Sequence, residues 1–167
     1  MSELHKFIFE GLPVRGMLVR LTDSWREVLQ RRAAADDTFP APVRMLMGEM
    51  AAAGLLMQAN IKFSGALVLQ VYGDGPVKLA VAEVQNDLAF RVTAKVVGEV
   101  APGAQLEALL NVHGQGRCAI TLDPLTRFPG QQPCCRGQRS ALSHVWNQLL
   151  AHPGSPVSGS NIRTRGW

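Results

Sequence analysis

The chain has 167 residues, of which 47% are hydrophobic and 18% charged, and its formal net charge is +4. That size and balance suit one globular domain with a sizeable core and exclude a disordered or low-complexity chain. No apolar run reaches the roughly 18 residues of a membrane span, and three cysteines make no disulfide framework.

The N-terminal stretch MSELHKFIFEGLPVRG has neither a basic leader nor a long apolar core, so a cytoplasmic protein without membrane contact is expected. Apolar clusters flank Pro13 and Gly16, and Met17, Val19 and Leu21 alternate as in a strand. Thr22-Asp23-Ser24 signals a helix start, with Ser24 and Glu27 spaced as a capping box. Trp25, Val28 and Leu29 then share one face, and Asp36-Asp37-Thr38 closes the unit.

The strongest helix is expected from about Pro42 to Asn60. Proline suits a first helical position, where an N–H has no partner to lose. Val43, Leu46, Met47, Met50, Gly54 and Met57 step by three or four, and Ala51-Ala52-Ala53-Gly54 offers a small-residue surface for close approach. A helix so apolar on all sides belongs in a core.

From Lys62 the period switches to two. Leu67, Leu69 and Val71 alternate with Val68, Gln70 and Tyr72. The turn Gly73-Asp74-Gly75-Pro76 leads into Val77, Leu79 and Val81. Asn86-Asp87 makes the next turn, before Phe90, Val92, Ala94 and Val96. Consecutive strands with short turns predict an antiparallel meander. Pro102-Gly103 breaks the chain, Leu106–Leu110 forms a short helix, and Arg117–Leu122 a further strand. The expected fold class is α+β, an antiparallel sheet packed with a buried small-residue helix and shorter helices.

Composition changes near Phe128. Residues 1–128 carry 13 basic and 13 acidic side chains, whereas Arg136, Arg139, Arg163 and Arg165 face no acidic residue in 129–167. A weak amphipathic helix over Arg139–Leu150 would use Leu142, Val145, Trp146 and Leu149. The Pro-, Gly- and Ser-rich end that follows reads as disordered.

Candidate chemistry is sparse. Cys134, Cys135, His144 and His152 have metal-ligand identities, but structural zinc sites separate paired cysteines by two to four residues so that both sulfurs reach one ion. Adjacent cysteines do so only with strain, so no metal ligand and no catalytic residue is assigned. Cys118 alternates with Ile120 and Leu122 and reads as a small buried hydrophobe. Gly73-Asp74-Gly75 lacks the following helix that a phosphate loop needs and reads as a tight turn, as does His113-Gly-Gln-Gly116. Arg31-Arg32 and the tail arginines lack interleaved aromatics, which favours solvated charge over nucleic-acid binding. Met45, Met47, Met50 and Met57 at helical spacing read first as core, and second as a surface for varied apolar partners.

Two longer stretches carry a family resemblance. HKFIFEGLPVRGMLVRL and FPAPVRMLMGEMAAAGLLMQANIKFSGALVLQVYGDGPVKLAVAEV resemble the redox-regulated heat-shock holdases of bacteria, the 33 kDa heat-shock chaperonin family. The markers are Pro-x-Pro-Val, the small-residue helix, Lys-Phe-x-Gly and Gln-x-x-Gly-x-Gly-Pro. Val92-Thr-Ala-Lys-Val and Gly98-Glu add to them, over residues 5–132. The resemblance implies a client-binding domain over 1–132 and ATP-independent binding of unfolding proteins. It also implies zinc held by Cys-x-Cys and Cys-x-x-Cys in a separate C-terminal domain, released on oxidation to expose apolar surface.

Neither cysteine motif occurs here, so no cofactor is expected in this chain. Residues 133–167 read as an aberrant basic tail, and truncation or a frame shift after about Pro133 is expected. The expected function is that of a holdase without its zinc switch: not an enzyme, partnered by unfolded or partly folded clients and by self-association. The alternative is a small ligand-binding or hydrolytic enzyme using the Gly73–Gly75 and His113–Gly116 turns.

Overall fold

A computed structural model describes residues 1–124; the expectations for Cys134, Cys135, His144, His152, the helix over Arg139–Leu150 and the basic tail lie outside the described residues. Two strands, β1 (Glu3–Ile8) and β2 (Arg15–Arg20), form an antiparallel hairpin. Helix α1 (Asp23–Ala34) and the long helix α2 (Ala41–Asn60) follow. Strands β3 (Gly65–Tyr72), β4 (Val77–Val84) and β5 (Phe90–Val96), the short helix α3 (Leu106–Leu110) and strand β6 (Arg117–Pro124) complete the order. The architecture is α+β, as the sequence pattern implied.

The four-stranded sheet runs β5-β4-β3-β6, all antiparallel. The meander β3-β4-β5 matches the period-two reading, and β6 returns to the far side of β3. Leu67, Leu69 and Val71 on β3 face the same side as Ala80, Ala82 and Val84 on β4. Helix α2 packs on that face, across β3, β4 and β5.

Helix α2 forms where the sequence placed it, with Pro42 in its first turn. Val43, Leu46, Met47, Met50, Ala51, Gly54 and Leu55 are buried along it. A Cβ on Gly54 would lie 2.9 Å from Val84 Cγ2, so the missing side chain sets how closely helix and strand approach. Of the methionines, Met47 and Met50 are fully buried core, whereas Met45 is 68% exposed.

Two details correct the sequence reading. The alternating pattern indicated β2 but not its partner β1. The capping box at Ser24 and Glu27 does not form either. Helix α1 begins at Asp23, with no side-chain cap from its own N-cap residue, Thr22. Instead the Ser2 hydroxyl accepts the N–H groups of Thr22 and Ser24, and Thr22 Oγ1 donates to the Met1 carbonyl. A donor-rich helix end is thus satisfied from the start of the chain.

Candidate apolar interaction surface

The sequence singled out no catalytic or metal residue, but it left three features to place: the Met-rich helix, the two glycine turns and Cys118. The methionine stripe is mainly core, with Met47 and Met50 under the sheet. Large exposed apolar side chains gather instead on the N-terminal hairpin. Ile8, Leu12, Val14 and Leu18 are 64%, 59%, 48% and 56% exposed. Isolated exposed hydrophobes are ordinary, but four within eleven consecutive residues of one hairpin make a candidate contact surface.

Local chemistry keeps this hairpin presented. Glu3 accepts from Arg20 across the strand pair at 2.9 Å, and Lys6 Nζ donates to the Ala59 carbonyl at the end of α2 at 2.9 Å. The first holds the two strands together at the open end of the ribbon, the second ties the ribbon to α2, and Leu12 in the loop stays exposed. Sequence reasoning found β2 but missed its partner β1, whose apolar residues Leu4, Phe7 and Ile8 fall on both faces, so no single-sided alternation marks it.

The two glycine turns do come together. Asp74 Oδ2 accepts the backbone N–H groups of His113 and Gln115 at 3.0 and 2.9 Å. Burial pushes the Asp74 carboxyl up, but those amide donors outweigh it and hold the group below the ordinary aspartate value. Two amide donors of the first turn are occupied too: Gly73 N–H donates to the Lys78 carbonyl, and Asp74 N–H to the Leu110 carbonyl. A Cβ on Gly75 would sit 2.5 Å from the Leu109 carbonyl oxygen. The turn is filled by the end of α3, and neither backbone N–H is aimed at a ligand.

Asp74 therefore acts as a strut between the β3–β4 turn and the 111–116 loop. Replacing it with asparagine should speed hydrogen exchange at the His113 and Gln115 amides while sparing β3. A carboxylate whose pKa is depressed on folding stabilises the fold above its unfolded value, near 3.8, and loses that effect as pH falls through the lower folded value. In the parent chain, the loop should loosen only in that acid range, and in Asp74→Asn the acid-dependent part should vanish. NMR-detected exchange would read both effects.

Arg31 and Arg32, read from the sequence as solvated charge, are engaged within the molecule. Arg31 pairs with Glu27, and Arg32 pairs with Asp37 at 2.5 Å while stacking over the Phe39 ring at 3.7 Å. Among the described residues no helix is long and apolar enough to cross a membrane.

The described residues do not fit a zinc ion. No group of three or more His, Cys, Asp or Glu side chains converges among them. Cys118 is half-buried, and burial pushes its thiol up to about 12. A thiol held protonated in this way is a poor metal ligand and a poor nucleophile.

Comparison with known proteins adds the family. The family model described as Hsp33 protein matches residues 2–149. A relative named 33 kDa chaperonin from Chromobacterium violaceum is 47% identical over 123 residues, covering 74% of this chain and 39% of the relative. Those of the same name from Shewanella denitrificans and Methylobacillus flagellatus are 45% and 44% identical, over 72% and 74% of this chain and 39% of each relative. The chain thus spans about two-fifths of the length of these curated relatives. The shared stretch includes the hairpin, the small-residue helix and the Gly73–Pro76 turn that the structure places around one core, and the chain belongs to the Hsp33 protein family.

Proposed function

We propose that this chain is a molecular chaperone of the holdase type, which binds unfolding proteins without nucleotide, in the cytoplasm. Family membership supports the class, and the single observation that carries the reading here is the exposed apolar hairpin around Leu12 and Leu18. Apolar side chains already in water gain from contact with any exposed client segment, and the contact demands no particular sequence. The occupied amides of Gly73 and Asp74 favour this reading over the hydrolase alternative, because a phosphate or oxyanion would find no free donor at either. Self-association belongs to the same proposal, since apolar surface that takes clients also takes a second copy.

Regulation follows from the thiols. In the redox-regulated scheme, oxidation releases zinc from paired cysteines, and the described part of this chain holds only Cys118, protonated and half-buried. Client binding by this chain is therefore proposed to be independent of redox state.

Light scattering of a heat-denatured client tests both statements. Peroxide-treated and thiol-reduced chain should suppress scattering equally at equal concentration. The double variant Leu12→Ser/Leu18→Ser should need several-fold more chain for the same suppression, with an unchanged melting temperature. No suppression in either redox state would overturn the function. Strong activation by peroxide would overturn its redox independence and return the cysteines to consideration as a switch.

A further inference from the structure

One face of the four-stranded sheet carries α2 and the core, and the other is open among the described residues. Leu67, Leu69 and Val71 are buried under the helix, so alternation turns Tyr72 on β3 and Leu79 on β4 to the open side. Strand pairing then assembles a row across that side, one residue from each of β5, β4, β3 and β6: Lys95, Leu79, Tyr72 and Arg117. Tyr72 is 49% exposed, Lys95 and Arg117 are exposed, and Leu79 is half-buried between them. Lys95 and Arg117 form no ion pair among the described residues. The acids of the open face are Glu83, held by Arg91, and Asp123, at the opposite end of β6 from Arg117.

We propose that this open face binds single-stranded nucleic acid, with a base stacked on the Tyr72 ring and backbone phosphates on Lys95 and Arg117. Every base has a π-face, so one exposed ring takes a base without regard to its identity, and flanking cations follow the backbone. Adjacent strands lie about 4.8 Å apart, which sets Lys95 and Arg117 roughly 14 Å from each other with the ring between them. Four-stranded sheets that stack bases on aromatic side chains are a recurring platform for single-stranded RNA.

The exposed side chains select this occupant over an apolar polypeptide. On the hairpin they are aliphatic, whereas on the open face of the sheet they are cationic or hydroxyl-bearing around one ring, and the aliphatic ones are half-buried. Linear sequence hides the arrangement. Tyr72, Lys95 and Arg117 are far apart along the chain, so aromatic and basic groups interleave only across strands. One ring and two unpaired cations make the binding weak and salt-dependent.

This does not rest on client binding, so either can fail alone. Fluorescence anisotropy of a labelled oligouridine of about twelve nucleotides, titrated with the full chain over a salt series, is the test. Binding is expected at low salt. Tyr72→Ala should weaken it about tenfold, and Tyr72→Phe, which keeps the ring, should stay within about twofold of the parent. Lys95→Ala and Arg117→Ala should each flatten the slope of log affinity against log salt by about 0.7. Arg44→Ala, exposed on α2 at the other side of the sheet, should leave it unchanged. Denaturation midpoints would confirm that all four sheet and helix variants fold. Tyr72 is the only tyrosine of the chain, so the ring signals of tyrosine-labelled protein belong to it alone and should shift as oligouridine is added. No binding at low salt would overturn the proposal. So would binding that ignores Tyr72→Ala and both cation variants, as attachment through the arginines at 136–165 would. A Tyr72→Ala variant that weakens client suppression while its oligouridine affinity is unmoved would give the face to clients, and would overturn it equally.

Discussion

Alanine at Gly73 is expected to destabilise the domain by about 3 kcal/mol, at the upper end of what forcing extra atoms into a packed site costs. Its Cβ would lie 2.1 Å from the Val77 carbonyl oxygen, 2.9 Å from Leu110 Cδ2 and 3.1 Å from Leu110 Cα. Two of these three atoms are backbone, so no rotamer change relieves the overlap. Either the β3–β4 turn opens, losing the Gly73 to Lys78 hydrogen bond, or α3 moves off the sheet with buried Leu109 and Leu110. Gly98 and Gly103 are the controls. Each has positive φ, +97° and +79°, but nothing within 4 Å of an added Cβ. Alanine there should cost about 1 kcal/mol through backbone conformation alone. Urea denaturation midpoints of the three variants would separate steric from conformational cost. Equal midpoints would mean that the turn does not sit against α3 in solution.

Much of this fold was legible in the sequence, and what failed did so for physical reasons. Helix α2 and strands β3, β4 and β5 each follow from local periodicity, because one strongly one-sided or all-round apolar pattern fits only one element there. The short helix at Leu106–Leu110 follows from the Pro102-Gly103 break before it. Strand β1 did not announce itself, since the ribbon has apolar residues on both faces and polar ones among them. The α1 cap was misread because the capping oxygen comes from Ser2, twenty or more residues away. A local motif cannot report a partner that only the fold supplies. The seat of β6 beside β3, rather than beside β5, is likewise a long-range choice that alternation leaves open.

The surface was less legible than the core. Burial pressure writes a pattern into sequence, whereas an exposed leucine in a loop looks like any other leucine. Leu12 and Val14 stand near Pro13, where neither period applies, so their exposure emerges only from the hairpin's position. Asp74 was read as a turn residue, which it is. Its carboxylate partners at His113 and Gln115 lie 39 and 41 residues further along, which no turn rule would reach.

The two readings of the methionine stripe lead to the second large effect. Met50→Ala should cost about 2–5 kcal/mol, because Met50 is fully buried between α2 and the sheet and its removal leaves a cavity that the surroundings only partly fill. Met45→Ala, one turn away on the exposed side, should change stability by no more than about 0.5 kcal/mol. A domain of this size typically holds only about 5–15 kcal/mol in all, so the first change removes a substantial fraction and the second almost none. Client suppression should follow the same division. Met50→Ala should act through the population of folded chain, with a lowered denaturation midpoint and a matching loss of suppression on warming. Had the stripe been the client surface, the two variants would weaken suppression alike while leaving the midpoint unmoved. Measuring midpoint and suppression on both variants therefore decides whether these methionines hold the domain together or hold its clients, and their burial under the sheet places Met47 and Met50 with the first.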